Sequence, residues 1–252
     1  MFYLIKKKLF FKNGIYNSIT NFYVNQIWII LLKRNEKIIG VGECNPLLTI
    51  NPNNNDLDKI ENNILFLLKL FFSKKVDFNF YRKKILNPSI LFAFEQVFLF
   101  LKKKNFPILY NSNFTKGRIG IPVNNLIWLK KYKNFNEKKI CRYIENKISN
   151  GFLSMKIKID KKSFDIQYYI LSMIYKKYPF LQIRLDANGC FIDLRDTIFF
   201  IEKLIKIKSI SYIEQPILKG NWKEMKKICK KSMIPIALDE ELNGVIKLKK
   251  KL

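Results

Sequence analysis

The sequence predicts an α/β chain in two parts: an α+β unit over residues 1–118, then over 119–252 a series of β/α units forming about five strands of a barrel. Three observations lead there. Strand-like alternation crowds the start and gives way to helical periodicity; glycines at 117 and 120 mark a break; and beyond it short apolar runs alternate with helix-length stretches. Four of those runs close on a charged residue, at Lys158, Asp186, Glu214 and Asp239.

In the first part, Phe2 to Phe11, Tyr23 to Leu32 and Lys37 to Glu43 read as strands of an antiparallel meander, the last two joined by the polar Lys33-Arg34-Asn35-Glu36 turn. After a loop over Asn51 to Asp56, Leu57 to Phe72 and Ser89 to Lys103 carry helical periodicity, the second with an N-cap-like Pro88-Ser89. In the second part the strand candidates are Ile121 to Leu129, Ser154 to Ile159, Gln182 to Asp186, Ser211 to Glu214 and Ile234 to Asp239. Amphipathic stretches separate them, among them Asp193 to Lys206 and Trp222 to Lys230. Such alternation implies parallel strands joined by right-handed crossovers. A complete eight-stranded barrel typically takes about 250 residues, so the second part is expected to be an incomplete one.

Composition narrows the function. Of 252 residues, 48% are hydrophobic and 15% aromatic, enough for a sizeable core. A formal charge of +27 would ordinarily suggest a nucleic-acid or anionic-membrane partner. Yet only six of the 47 basic residues are Arg, and Lys, Asn, Ile, Phe and Tyr are abundant throughout. That is the mark of an AT-rich coding sequence with a solvated Lys surface, whereas phosphate-reading surfaces favour Arg. A non-catalytic basic protein that binds nucleic acid is therefore the minor competing class. Cys44, Cys141, Cys190 and Cys229 show no CxxC pairing, which argues against a zinc site or disulfide framework and suits a reducing cytoplasm. The N-terminus lacks a signal-peptide pattern, and the longest apolar runs, Ile27 to Leu32 and Ser89 to Leu101, are too short to span a bilayer. A cytoplasmic protein is expected.

The chemistry lies in the spacing. Lys158, Asp186, Glu214 and Asp239 are separated by 28, 28 and 25 residues, about one strand, one helix and two loops each. Any one of the carboxylates alone would be an ordinary strand-end surface group. Three converging on one pocket repel unless a hard cation neutralises them, and all-oxygen ligation favours Mg²⁺, with Mn²⁺ as a substitute. Asn188 and Glu240, beside these residues, are candidates to touch substrate or to orient a carboxylate. Lys156 and Lys158 alternate with Ile157 and Ile159, so they share one face of their strand. Either that face is solvated, or the two ammonium groups, beside a metal, lose proton affinity and one serves as a base.

The segments KIKID, RLDANGCF, YIEQPI and PIALDEEL resemble the enolase superfamily, in its muconate-lactonising-like subgroup, and within it the o-succinylbenzoate synthases. GVGECNPL, PSILFAFEQ and FTKGRIGIPVNNLIW extend the resemblance into the first part. It implies an N-terminal α+β capping domain and a modified (β/α)₇β barrel, here partial. It further implies Asp186, Glu214 and Asp239 as Mg²⁺ ligands, Lys158 as the acid/base and Lys156 as its electrostatic partner. The implied reaction is syn dehydration of a cyclohexadiene carboxylate in menaquinone biosynthesis, with a small carboxylate as substrate. Amino-acid or dipeptide racemases of the same superfamily are the alternative. Three departures stand out: the family's loop Arg has no counterpart in Asn17-Ser18-Ile19-Thr20, Asn125 stands where Gly is common, and GVIKLKKKL supplies no second strand-borne Lys after Asp239. The last suggests a truncated reading of a longer gene, completed by self-association or by a separate C-terminal piece.

Overall fold

The structure is a computed structural model that describes residues 1–16, 21–46, 57–73, 78–127, 129 and 136–242. The Asn17–Thr20 departure, the loop over 51–56 and the 244–252 tail lie outside the described residues. The chain divides into two compact units, Met1–Gly120 and Ile121–Leu252.

The first unit opens with the antiparallel sheet β1 (Phe2–Tyr16), β2 (Asn21–Arg34) and β3 (Lys37–Cys44), in the order β1-β2-β3. Alternation in β2 turns Trp28, Ile30 and Leu32 inward, against helices α1 (Leu57–Ser73), α2 (Phe78–Lys84) and α3 (Pro88–Lys103). Ile64, Tyr81, Ala93, Phe94 and Val97 complete that core. β3 lies very close to α3 because Gly42 has no side chain: a Cβ there would stand 2.1 Å from the Ala93 carbonyl oxygen. The cap of α3 is Asn87, one residue before the expected Pro88-Ser89. Its side chain accepts from the Ser89 and Ile90 amides, and Pro88 fills the first helical position, where no amide partner is needed. Helix α2 was not expected from the sequence.

The second unit holds β4 (Asn125–Ile127), β5 (Ser154–Lys158), β6 (Gln182–Asp186), β7 (Ile210–Glu214) and β8 (Ile236–Ala237), all parallel and in sequential order. Sequential order means that each crossover adds its strand on the same side, the winding of a β/α barrel. The connecting helices are α4 (Glu137–Ser149), α5 (Phe164–Lys177), α6 (Leu194–Leu204) and α7 (Trp222–Lys231). They pack on Met155, Ile157, Ile183, Leu185 and Ile213, which makes one strand face the core. Lys156, Lys158 and Asp186 alternate with those residues and take the opposite face. β4 and β8 are shorter than the runs Ile121 to Leu129 and Ile234 to Asp239 suggested. Among the described residues no helix is long and apolar enough to cross a membrane.

Candidate active site

Strand register brings the charged residues into one row. Lys158 stands beside Asp186 and Asp186 beside Glu214, each at the C-terminal end of its strand. Glu214 is level with Ala237, so Asp239 lies two residues past the end of β8.

Lys156 Nζ donates to Glu214 Oε1 at 2.7 Å and pairs with Asp186 Oδ2 at 3.0 Å. Lys158 Nζ lies 3.5 Å from the same Asp186 oxygen and donates to Asn188 Oδ1 at 2.7 Å. Asn188 in turn donates from Nδ2 to Glu240 Oε1 at 3.0 Å, and from its backbone N–H to Asp186 Oδ1 at 3.2 Å. A tight turn makes this reach possible. Asn188 and Gly189 have φ of 43° and 73°, and the Cys190 amide donates to the Ala187 carbonyl at 2.9 Å, the pattern of a type I′ turn that an Asn-Gly pair favours. The other Glu240 carboxylate oxygen, Oε2, is buried and finds no partner among the described residues.

Negative charge outweighs positive here. Burial pushes the Glu214 carboxyl above the usual range; Lys156 opposes this, while Asp186 and Asp239 add to it. Burial also raises Asp239, together with Glu240 and Asp186, against the pull of Lys156 and Lys158. For Lys156, burial works against the charge, but its hydrogen bonds to Glu214 and Asp186 and their negative charge outweigh that and raise its proton affinity. With two carboxylates this close, Lys156 holds its proton more firmly than an ordinary lysine.

Asp186, Glu214 and Asp239 offer only oxygen donors, and two of them already share one cationic nitrogen. That donor chemistry suits a hard divalent cation. As they stand, no three carboxylate or thiol groups among the described residues are gathered closely enough to hold a metal ion. Lys156, Lys158, Asp186, Glu214, Asn188 and Glu240 form one contact network, which Asp239 joins through charge. Asn125 is placed elsewhere. It is level with Met155, and its Oδ1 accepts from the Tyr143 hydroxyl of α4 at 2.8 Å, on the helix-covered side.

Two residues of the site escaped the sequence reading: Gln215 and Glu241, both buried and hydrogen-bonded to each other, with Gln215 also accepting from the Asp239 backbone N–H. A glutamine inside YIEQPI was the available signal, since an apolar run seldom carries one without a partner for it.

Residues 139–252 match the enolase C-terminal domain-like family. An o-succinylbenzoate synthase of Desulfotalea psychrophila is 35% identical over 162 residues, 63% of this chain and 42% of that protein. The crystal structure of MenC from the same organism aligns with 99% of this chain and 73% of its own, at 25% identity and a TM-score of 0.69. The second unit is thus similar to the C-terminal domain of the enolase superfamily. A second solved structure, the o-succinylbenzoate synthase of Thermosynechococcus elongatus with Mg in its active site, shares the fold at a TM-score of 0.69 and 17% identity, over 95% of this chain and 68% of that one. The match thus spans less than half the length of the curated relative.

Proposed function

We propose that this chain is a Mg²⁺-dependent o-succinylbenzoate synthase of the enolase superfamily, a lyase that converts 2-succinyl-6-hydroxy-2,4-cyclohexadiene-1-carboxylate to o-succinylbenzoate. The observation that carries the reading is Lys158: a lysine held by Asn188, 3.5 Å from Asp186 and level with Glu214, at the rim where the carboxylates gather. The 35% identical relative supports the same chemistry.

The substrate proton lies next to a carboxylate and is very weakly acidic. Removing it builds negative charge on the carboxylate oxygens, and enolase-superfamily sites in general pair a Lys or His base with Mg²⁺ for this purpose. Asp186, Glu214 and Asp239 are the residues that would hold Mg²⁺, which supplies the Lewis acid for that charge. Lys158, as the free amine, takes the proton, and Asn188 Oδ1 fixes its nitrogen. The electron pair released by the C–H bond forms the new ring double bond as the C–O bond breaks. The Lys158 ammonium returns the same proton to the departing hydroxyl, on the same ring face, leaving water and an aromatic ring. Lys156 stays protonated and adds positive charge beside Asp186 and Glu214.

Assay of the purified chain with the cyclohexadiene substrate and Mg²⁺ should give the aromatic product, and chelation should stop it. Epimerisation of N-acylamino acids or dipeptides without any dehydration would replace this reading by the racemase one. The absence of both activities from protein that binds Mn²⁺ would reject both.

A further inference from the structure

Gln215 is 1% exposed and sits between Glu214 and Pro216, where an apolar side chain would fill the space. Its backbone has φ of 42°, a left-handed conformation that a non-glycine residue adopts at a cost. Every polar atom of its side chain is used. Oε1 accepts from the backbone N–H of Asp239 and of Glu241, each at 3.1 Å. Nε2 donates to the Ile217 carbonyl at 2.9 Å and to Glu241 Oε2 at 3.2 Å. Glu241, itself 3% exposed, accepts with its other oxygen from the Gly220 amide at 3.0 Å. The Gln215 main chain accepts from the Gly189 amide at 2.6 Å and donates to the Ala237 carbonyl at 2.9 Å.

One residue thus ties together the turn that follows Asp186, the end of β8 and the backbone of Asp239. Through Glu241 it also reaches the loop after Glu214. The pair satisfies the amides of Asp239, Glu241 and Gly220 and the carbonyl of Ile217, backbone groups that apolar side chains would leave without these partners. Satisfying them also holds in place the segment that carries Asp239.

We propose that Gln215 is a positioning residue that, with Glu241, fixes the backbone at Asp239 so that its carboxylate is set toward Asp186 and Glu214 before a divalent cation binds. This rests on the reading that those three carboxylates hold the metal, and the test separates the two ideas. The full chain is compared with Gln215→Met, which keeps the length and removes every side-chain hydrogen bond. It is also compared with the double variant Gln215→Glu, Glu241→Gln, which keeps an acceptor for the two amides and avoids two facing carboxylates. Mn²⁺ binding is measured directly, and amide exchange is followed at Asp239 and Glu241.

Losing a partner that orients metal ligands typically weakens metal affinity about 10–100-fold. That loss is expected for Gln215→Met, together with faster exchange at both amides, and the double variant should recover most of both. Native-like Mn²⁺ binding and exchange in Gln215→Met would overturn the proposal, as would a double variant no better than the single one. If Gln215→Met does not fold, Glu241→Ala removes one end of the network and should still weaken Mn²⁺ binding; unchanged binding counts against the proposal. Should the native chain bind no Mn²⁺, the metal reading fails, while amide exchange still decides whether Gln215 holds the Asp239 segment.

Discussion

Glu61 in the first unit and Glu214 in the second each accept a hydrogen bond from a lysine at 2.7 Å, yet their carboxyls shift in opposite directions. Glu61 is pushed down by its bonds to Lys6 and to the Trp28 indole N–H, with little burial to oppose them. Glu214 is pushed up, because burial and the charges of Asp186 and Asp239 outweigh Lys156. Other polar groups divide in the same way. Asn87 caps a helix and Asn25 donates to Asn45 at 2.8 Å, bonds that complete local structure in the first unit. In the second, Asp186 ends a strand, Gln215 directly follows one and Glu241 lies in the short turn of helix after β8, and all three are buried. The first unit settles its charges where they stand. The second gathers Asp186, Glu214 and Asp239 around Lys156 and Lys158, and burial there raises the Glu214 and Asp239 carboxyls in spite of the two lysines.

The strongest way to sharpen this contrast is Lys158→Met. If Lys158 is the acid/base we propose, its loss should lower dehydration about 10²–10⁴-fold while leaving thermal unfolding unchanged; an equal loss of stability would mean that Lys158 serves the fold instead. The reverse is expected of Gly42→Ala. Forcing a methyl against the Ala93 carbonyl should cost about 3 kcal/mol or more in urea unfolding, since overpacking against backbone has no side chain to yield. Asn87→Ala should cost about 1 kcal/mol by loss of the cap on α3, read in the same way.

The smallest effect expected is that of Glu61→Gln, below about 1 kcal/mol for so exposed a pair. Its pH dependence is the useful part. Because the native carboxyl is lowered relative to the unfolded chain, its contribution is complete above the unfolded value and fades as pH falls through the lowered native one. Stability of the native protein and of Glu61→Gln should therefore converge in acid. A difference that persists there would remove Glu61 from the comparison with Glu214.

Much of this organisation is legible from residue order. β6 follows from the alternation in QIRLD, and the site row follows from charged residues closing four apolar runs, because side chains that end neighbouring parallel strands must share a rim. α2 was illegible: FNFYRKK is one short stretch anchored by the buried Tyr81, with too few turns to show a period. The cap of α3 was misplaced by one residue because Pro88 and Ser89 both carry N-terminal signals, and only the observed hydrogen bonds select Asn87. Gln215 was missed for a different reason. The polar residue inside YIEQPI hinted at a buried partner, but the partners, Asp239 and Glu241, lie 24 and 26 residues away, too far for local pattern to identify them.

Strand β5 carries a wider consequence. Met155 and Ile157 face the helices, and Lys156 faces Asp186 and Glu214, so two messages are interleaved in five residues. Either can change while the other is kept: a substitution at Met155 or Ile157 is judged by packing, one at Lys156 or Lys158 by the ion pairs it makes. A sheet written this way lets a lineage exchange one reaction for another without renegotiating its fold, since each strand contributes its reactive letter separately.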